Sequence, residues 1–291
     1  MRGQQACRKS RVPLLNTINM RRILFTFFVT CFAFIAQGQE IKVALEAPGT
    51  LAHRLAGAGD VERIVISGTM NNADFAALRQ LKHLETVDLR KVKNKQLGDS
   101  LFFGMTQIES VRLPKKLKQL GRSTFEGCTE LEYVEFPGRM DVIPDFTFKD
   151  CKKLDKLDVF NSNVDHIGKG AFMNSGIRII PLPKELRSID MMAFMNCSRI
   201  EQIRIPKWVL EIGALAFANC TSLRDILVRT EMPPTCAIDA FTGLEKCTLH
   251  VTHPEFYRDR APWNKIDLDF RAYNGQELKT FDRSDIFIRD K

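Results

Sequence analysis

The chain has 291 residues, 44% of them hydrophobic, enough to build a substantial core. Its formal charge of +8 suggests an acidic partner such as nucleic acid, but the charge is in the wrong place for one. Residues 1–38 hold six Arg or Lys and no acid, leaving a nearly neutral body of 37 basic and 35 acidic residues from Gln39 onward, so the basicity is no nucleic-acid footprint.

The leader comes first. Met20, Arg21 and Arg22 precede the apolar run ILFTFFVTCFAFI (23–35), and the small-residue stretch AQG (36–38) follows. A charged start, a short apolar run and small residues at −3 and −1 describe a secretory signal peptide over residues 20–38, with Met20 the expected initiator and cleavage near Gly38–Gln39. The run is too short to span a bilayer comfortably, and no second long apolar segment follows. The expectation is export to the periplasm, the cell surface or the medium. Cys31 has a poor context for lipid attachment, since Phe28, Val29 and Thr30 precede it.

Residues 39–60 read as an N-terminal cap. IKVAL alternates like a strand, and TLAHRLAGAG reads as a short helix closed by glycine. A little further on, NNADFAALRQLKHL reads as an amphipathic helix with Asn or Asp at its start.

From 61 to 252 the chain repeats itself. Two apolar residues flanking a variable one recur at Ile64/Ile66, Val87/Leu89, Val111/Leu113, Val134/Phe136, Leu157/Val159, Ile180/Leu182, Ile203/Ile205, Ile226/Val228 and Leu249/Val251. The step is 23 residues with a single step of 24. A period in that range predicts a leucine-rich repeat solenoid of about nine coils. The expected fold is a right-handed coil with a parallel β-sheet on its concave face, short irregular or strand segments on the convex side and a small α/β N-terminal cap. One coil cannot bury its apolar pair alone, so neighbours must stack. Pro114, Pro137, Pro183 and Pro206 follow the pair and end the pairing, having no N–H to donate. A second apolar pair follows, as in Leu117/Leu120, Leu186/Ile189 and Val209/Ile212. Phe102, Phe125, Phe148, Phe172, Phe194, Phe217 and Phe241 then recur every 22–24 residues, which predicts a continuous ladder behind the sheet.

Cys128, Cys151, Cys197 and Cys220 share one repeat position, occupied elsewhere by Met105, Ser175 and Leu244. A zinc site needs four converging ligands, and a ligand position would not tolerate Met or Leu. Adjacent coils lie ~4.8 Å apart, longer than the ~3.8 Å Cβ separation of a disulfide. These cysteines are therefore expected as buried free thiols acting as small hydrophobes. Cys236 and Cys247 flank Phe241, where the MPPTC insertion departs from the regular coil, and form a candidate disulfide for an exported protein. Residues 253–270 read as a C-terminal cap: THPEFYRDRAPW supplies a helix start and bulky aromatics, and KIDLDF one more strand. The tail 271–291 is polar.

LRSIDMMAFMNCSRIEQIRIP (186–206) and LEIGALAFANCTSLRDILV (210–228) resemble the BspA-like, treponemal-type leucine-rich repeats of bacterial surface proteins, which run L-x-x-I-G-x-x-A-F-x-x-C-x-x-L-x-x-I-x-I-P. The resemblance spans about residues 60–265, including VERIVISGTMNNADFAALRQLKHLETVDL at the front and MPPTCAIDAFTGLEKCTLHV at the back. It implies an envelope protein that binds proteins or host surfaces, with no shared catalytic residue and no cofactor.

No phosphate loop, H-E-x-x-H motif or nucleophile elbow occurs. His250 and His253 sit on a strand and its following turn with no third ligand, so no metal site is expected. The variable residue within each apolar pair and the one before it point outward on the concave sheet. Arg112, Tyr133, Glu135, Lys156, Asp158 and Arg204 are the candidate binding residues there, for a protein or another surface macromolecule. Asp88, Arg112 and Glu135 alternate in sign and favour stacking. Glu135 and Asp158 place two carboxylates on neighbouring strands. That pair raises the alternative of a glycan-acting enzyme, disfavoured by an open face without a pocket. A structural envelope component without a specific ligand is the other alternative.

Overall fold

The computed structural model describes residues 39–137, 140–155, 157, 163–179 and 181–273; the leader expected over 1–38, the candidate residues Lys156 and Asp158, and residues 274–291 lie outside the described residues. Strands β1 (Gln39–Ala44), β2 (Val61–Gly68), β3 (Thr86–Val92), β4 (Ser110–Arg112) and β5 (Tyr133–Glu135) form one sheet in chain order, with helices α1 (Leu51–Arg54) and α2 (Asn72–Arg79) between its first three members. Further along, short outer strands alternate with concave ones. The outer sheet contains β6 (Val142–Ile143), β7 (His166–Ile167) and β8 (Ser188–Ile189). Among the described residues the next concave strand is β9 (Gln202–Ile205), followed by outer β10 (Glu211–Ile212), concave β11 (Asp225–Val228), outer β12 (Thr235–Cys236) and concave β13 (Thr248–Val251) and β14 (Asp269–Ala272).

Pairing is parallel and in register with the repeat. Val87 lies beside Val111 and Val111 beside Val134; Ile203, Ile226 and Leu249 do the same further on. These inward residues are buried, as is the second apolar set Leu120, Ile143, Ile167, Ile189 and Ile212 that lines the outer sheet. Burying one such side chain is worth about 1.5–3 kcal/mol. Each coil therefore gains stability only through contact with the next.

Seven phenylalanines stack as expected. Successive ring centroids from Phe102 to Phe241 are 5.3, 5.4, 5.3, 5.1, 5.2 and 5.4 Å apart, with planes within 15° of parallel. The backbone around them is unusual. The residue two after each ring has a positive φ and is Gly, Asp or Asn: Gly104, Gly127, Asp150, Asn174, Asn196, Asn219 and Gly243. Only these residue types take the left-handed region readily. The residue two before the ring is also left-handed at Ser100, Ser123, Phe146, Met192 and Leu215, which costs about 1 kcal/mol or more each. Hydrogen bonds into the next coil hold them there, for example Met192 N–H to Ala214 O (2.8 Å), Phe194 N–H to Ala216 O (2.8 Å) and Asn196 N–H to Ala218 O (2.8 Å). The side chains of the left-handed row add a ladder of their own. Asn219 donates to Asn196 (3.0 Å), Asn196 to Asn174 (2.7 Å) and Asn174 to Asp150 (3.0 Å).

Cys128, Cys151, Cys197 and Cys220 are buried free thiols, as the repeat position implied, but they do more than fill space. Each Sγ–H donates to the carbonyl of the preceding coil's phenylalanine: Cys128 to Phe102 (3.0 Å), Cys151 to Phe125 (3.0 Å), Cys197 to Phe172 (2.9 Å) and Cys220 to Phe194 (3.1 Å). The expected bond between Cys236 and Cys247 is corrected: both thiols are free. Cys236 belongs to outer strand β12, paired with Ile212, whereas Cys247 directly precedes concave strand β13, so the two cysteines serve different faces of the coil.

Both ends of the ladder are sealed. At the front, Phe75 of α2 meets Phe102 edge-on (5.6 Å, 88°). The buried Asp74 carboxylate accepts from the N–H groups of Gly49 (2.7 Å), Leu51 (2.9 Å) and Asn71 (2.8 Å), tying both helix starts to one charge. At the back, Trp263 covers Phe241 (5.9 Å) and Tyr257 packs edge-on against Trp263 (5.1 Å, 73°). Trp263 Nε1–H is satisfied by Pro234 O (2.8 Å). The last strand begins later than KIDLDF suggested and takes in Arg271 and Ala272 of the expected tail. The register decides this, because Phe270 must pair with Leu249 to point inward.

Candidate functional site

The concave outward rows are assembled by strand register. Asp88, Arg112 and Glu135 lie side by side on β3, β4 and β5, with Thr86, Ser110 and Tyr133 beside one another in the neighbouring row. Inward apolar residues hold the strands, so the outward side chains start from a fixed backbone.

Charge organises this part of the face. Asp88 is buried on the outward side, and Arg90 folds back over it. Arg90 Nε–H donates to both Asp88 oxygens (3.1 and 3.1 Å), Nη2–H to Oδ2 (2.7 Å) and the Arg90 backbone N–H to Oδ1 (3.0 Å). Burial alone would push the Asp88 carboxyl up. The hydrogen bonds from Arg90 and the charges of Arg90 and Arg112 outweigh it and hold the carboxyl below its ordinary value. Arg112 is strung between two carboxylates, 3.8 Å from Asp88 and 3.4 Å from Glu135. The Arg90 guanidinium is in turn pushed up, first by its hydrogen bond to Asp88 and then by the charges of Asp88, Glu135 and Tyr133, with burial opposing.

Three of the six expected residues, Arg112, Tyr133 and Glu135, are thus brought together, and Tyr133 keeps 45% of its surface exposed. Arg204 lies on β9, in register with Leu227, His250 and Arg271, as part of a second outward patch; there His250 Nε2 is 2.7 Å from Asp225 Oδ1. Arg90 was missed. It falls just after the apolar pair, outside the positions that alternation assigns to the concave face, and only its return over Asp88 makes it part of the patch.

The chemistry available here is recognition by hydrogen bonds, charge and one aromatic ring. Glu135 is tied to Arg112, so it is no isolated carboxylate. Among the described residues no group of three or more His, Cys, Asp or Glu is arranged to hold a metal ion. Burial pushes the thiols of Cys128, Cys197, Cys236 and Cys247 up to about 12, and those of Cys151 and Cys220 well above their ordinary value, so they stay protonated at neutral pH. A thiol in that state is a poor nucleophile. Among the described residues no helix is long and apolar enough to cross a membrane.

Solved structures of bacterial leucine-rich repeat proteins are similar to this chain. A leucine-rich repeat protein from T. pallidum matches with 21% sequence identity and a TM-score of 0.51, over 65% of this chain and 86% of that one. A leucine-rich repeat protein from Eubacterium ventriosum matches at 24% identity and a TM-score of 0.42, over 53% of this chain and 42% of that one. A leucine-rich cell surface protein from Faecalibacterium prausnitzii matches at 15% identity and a TM-score of 0.40, over 74% of this chain and 64% of that one. No curated protein matches significantly. The model of the BspA type leucine rich repeat region, six copies long, matches residues 69–200 and 118–243, more than half of the chain. With that match resting on the same 23-residue register that stacks the phenylalanines and sets Asp88, Arg112 and Glu135 side by side, the chain belongs to the BspA-type leucine-rich repeat family, whose repeats form protein-interaction modules.

Proposed function

We propose that this chain is an exported binding module of the bacterial envelope that holds a protein, or another surface macromolecule, on its concave sheet. The observation that carries the reading is the cluster of Asp88, Arg90, Arg112, Tyr133 and Glu135. An exposed aromatic ring lies beside two guanidinium groups and two carboxylates, all mounted on strands whose other face is buried. Tyr and Arg are the residue types that most often dominate interfaces, and a rigid platform lowers the ordering cost of binding. Lys156, Asp158 and Arg204, named from the sequence, are further candidate contacts, and adhesion is the role such a surface would serve. Export rests on the leader pattern of residues 20–38, with a mature chain beginning near Gln39 and comprising a cap to residue 60, a solenoid to 252, a second cap to 270 and a polar tail.

The test is capture of a ligand from bacterial and host surface material by residues 39–291, followed by titration of the captured ligand against the Tyr133→Ala/Arg112→Ala variant. A loss of about 1–3 kcal/mol supports the concave site. Unchanged affinity moves contact to the convex face or the caps, and a module that captures nothing leaves the structural envelope component.

A further inference from the structure

Charge on the first coils is sorted across the concave sheet. At the edge where the strands begin, Glu62, Glu85, Glu109 and Glu132 stand on successive coils, joined by backbone bonds of 2.8, 2.8 and 2.9 Å. At the edge where the strands end, Lys91, Lys93 and Lys95 are exposed on one coil, and Lys115, Lys116 and Lys118 on the next. These two trios are neighbours: Lys118 N–H donates to Lys95 O (2.8 Å), and Gln96 bridges Gln119. Extended backbone rises about 3.3 Å per residue, so Glu85 and Lys91 are roughly 20 Å apart along their strand. That is well beyond the screening length of about 8 Å at physiological salt, so the acids do not neutralise the lysines. Some lysines elsewhere are paired, as Lys149 is with Glu126 (2.6 Å) and Lys153 with Glu130. Among the described residues none of these six lysines takes part in an ion pair.

Two further features shape the strip. Its backbone is held in place: Lys93 N–H donates to Gly68 O (2.7 Å), and the Asn94 side chain both accepts from Met70 N–H and donates to Met70 O (2.9 Å each). Val92 and Leu117 are buried between the exposed lysines and anchor both segments. The strip is also narrow. The column that holds Lys95 and Lys118 continues as Asp141, which is exposed, and then Asp165, whose N–H bonds to Asp141 O (2.9 Å). Among the described residues the lysines gather on these two coils, about 5 Å between files, and the outer column turns acidic at Asp141.

We propose that this strip binds one chain of an anionic polysaccharide carrying sulfate or phosphate esters. Lysines supply hydrated point charges that suit such esters without the forked geometry of arginine. No aromatic residue stands among the six to stack on nucleic-acid bases. A flat anionic membrane laid along this edge would meet Asp141 and, on later coils, the exposed Glu185 and Glu211 between single lysines at Lys184 and Lys207. A single flexible chain crossing two coils avoids them. The strip is separate from the Asp88–Arg90–Arg112–Tyr133–Glu135 cluster, and its ligand need not be the one held on the concave face.

The experiment titrates the protein with a labelled heparin oligosaccharide at about 50 and 200 mM salt. Wild type binds, and more weakly at the higher salt. Lys93→Glu/Lys95→Glu/Lys118→Glu lowers affinity at least about tenfold with an unchanged unfolding midpoint. Should that variant unfold, the Gln versions of the same three positions replace it. A matched variant, Lys207→Glu/Lys246→Glu/Lys265→Glu, binds within about twofold of wild type. The proposal is overturned by a wild type that ignores heparin at the lower salt, or by equal losses in the two lysine variants, which would leave net charge as the whole effect. Tighter binding to phosphatidylserine vesicles or to single-stranded DNA than to heparin overturns it as well.

Discussion

The phenylalanine column and the Asp88–Arg112–Glu135 column are built on the same period, yet one repeats a single residue seven times and the other changes at every coil. Inside the coil each ring's neighbours above and below are copies of itself, so only a residue that stacks on its own kind extends the column without a void. On the concave side water takes the place of the missing neighbour. Opposite charges side by side attract there, and along Asp88, Arg112 and Glu135 the sign alternates. Uniformity thus marks what holds the coil together, and variation marks what the coil presents.

That contrast can be broken where it is strongest. Phe172 is fully buried, with rings at 5.3 and 5.1 Å on its two sides. Phe172→Ala should destabilise the fold by about 3–5 kcal/mol, since the coils above and below cannot collapse onto the gap without breaking their backbone ladder. The urea midpoint measures this, and an unchanged midpoint would remove Phe172 from the core.

Cysteine sharpens the contrast, because its column is also inward but polar at the tip. Cys197→Ala loses the bond to Phe172 O and should cost about 1–2 kcal/mol. The thiol also predicts a pH dependence. Burial raises it to about 12 in the folded chain from 9.0, so the unfolded chain gives up its proton first. The protonated thiol's contribution is complete below about pH 9 and is lost as pH rises toward 12. Urea midpoints taken across that window should fall in wild type and fall less in Cys197→Ala; parallel curves would mean the thiol is not buried in solution.

The smallest effect belongs to the presented column. Tyr133→Ala/Arg112→Ala removes an exposed ring and one member of a surface network while Arg90 still covers Asp88. Exposed ion pairs contribute little, so the unfolding free energy should change by no more than about 1 kcal/mol. Differential scanning calorimetry decides this; a large fall in melting temperature would mean that the concave charges hold the coil rather than serve a ligand.

Most of the coil was legible in the chain itself. Alternation named the inward pairs, proline marked where strand pairing stops, and the spacing of Phe and Cys identified both columns. The side-chain roles at the tips were harder to read. Nothing in the order Cys-x-x-Leu says that the thiol will reach the carbonyl of a residue some 25 positions earlier. The flexible Arg90 side chain could have pointed to water, and its return is made to an Asp88 carboxylate that is buried in the folded chain. The lysine strip was visible only as two separate basic runs.

By itself, then, the sequence determined the period, the inward columns and the register that follows from them, because each is a local demand repeated until it has one solution. Tertiary structure alone decided the contacts that lie off that register. Asp88 under Arg90, Lys95 beside Lys118, and Cys236 and Cys247 on different faces all depend on where the next coil sets its side chains down. Long polar side chains have many local minima of similar energy, and only the neighbouring coil selects among them.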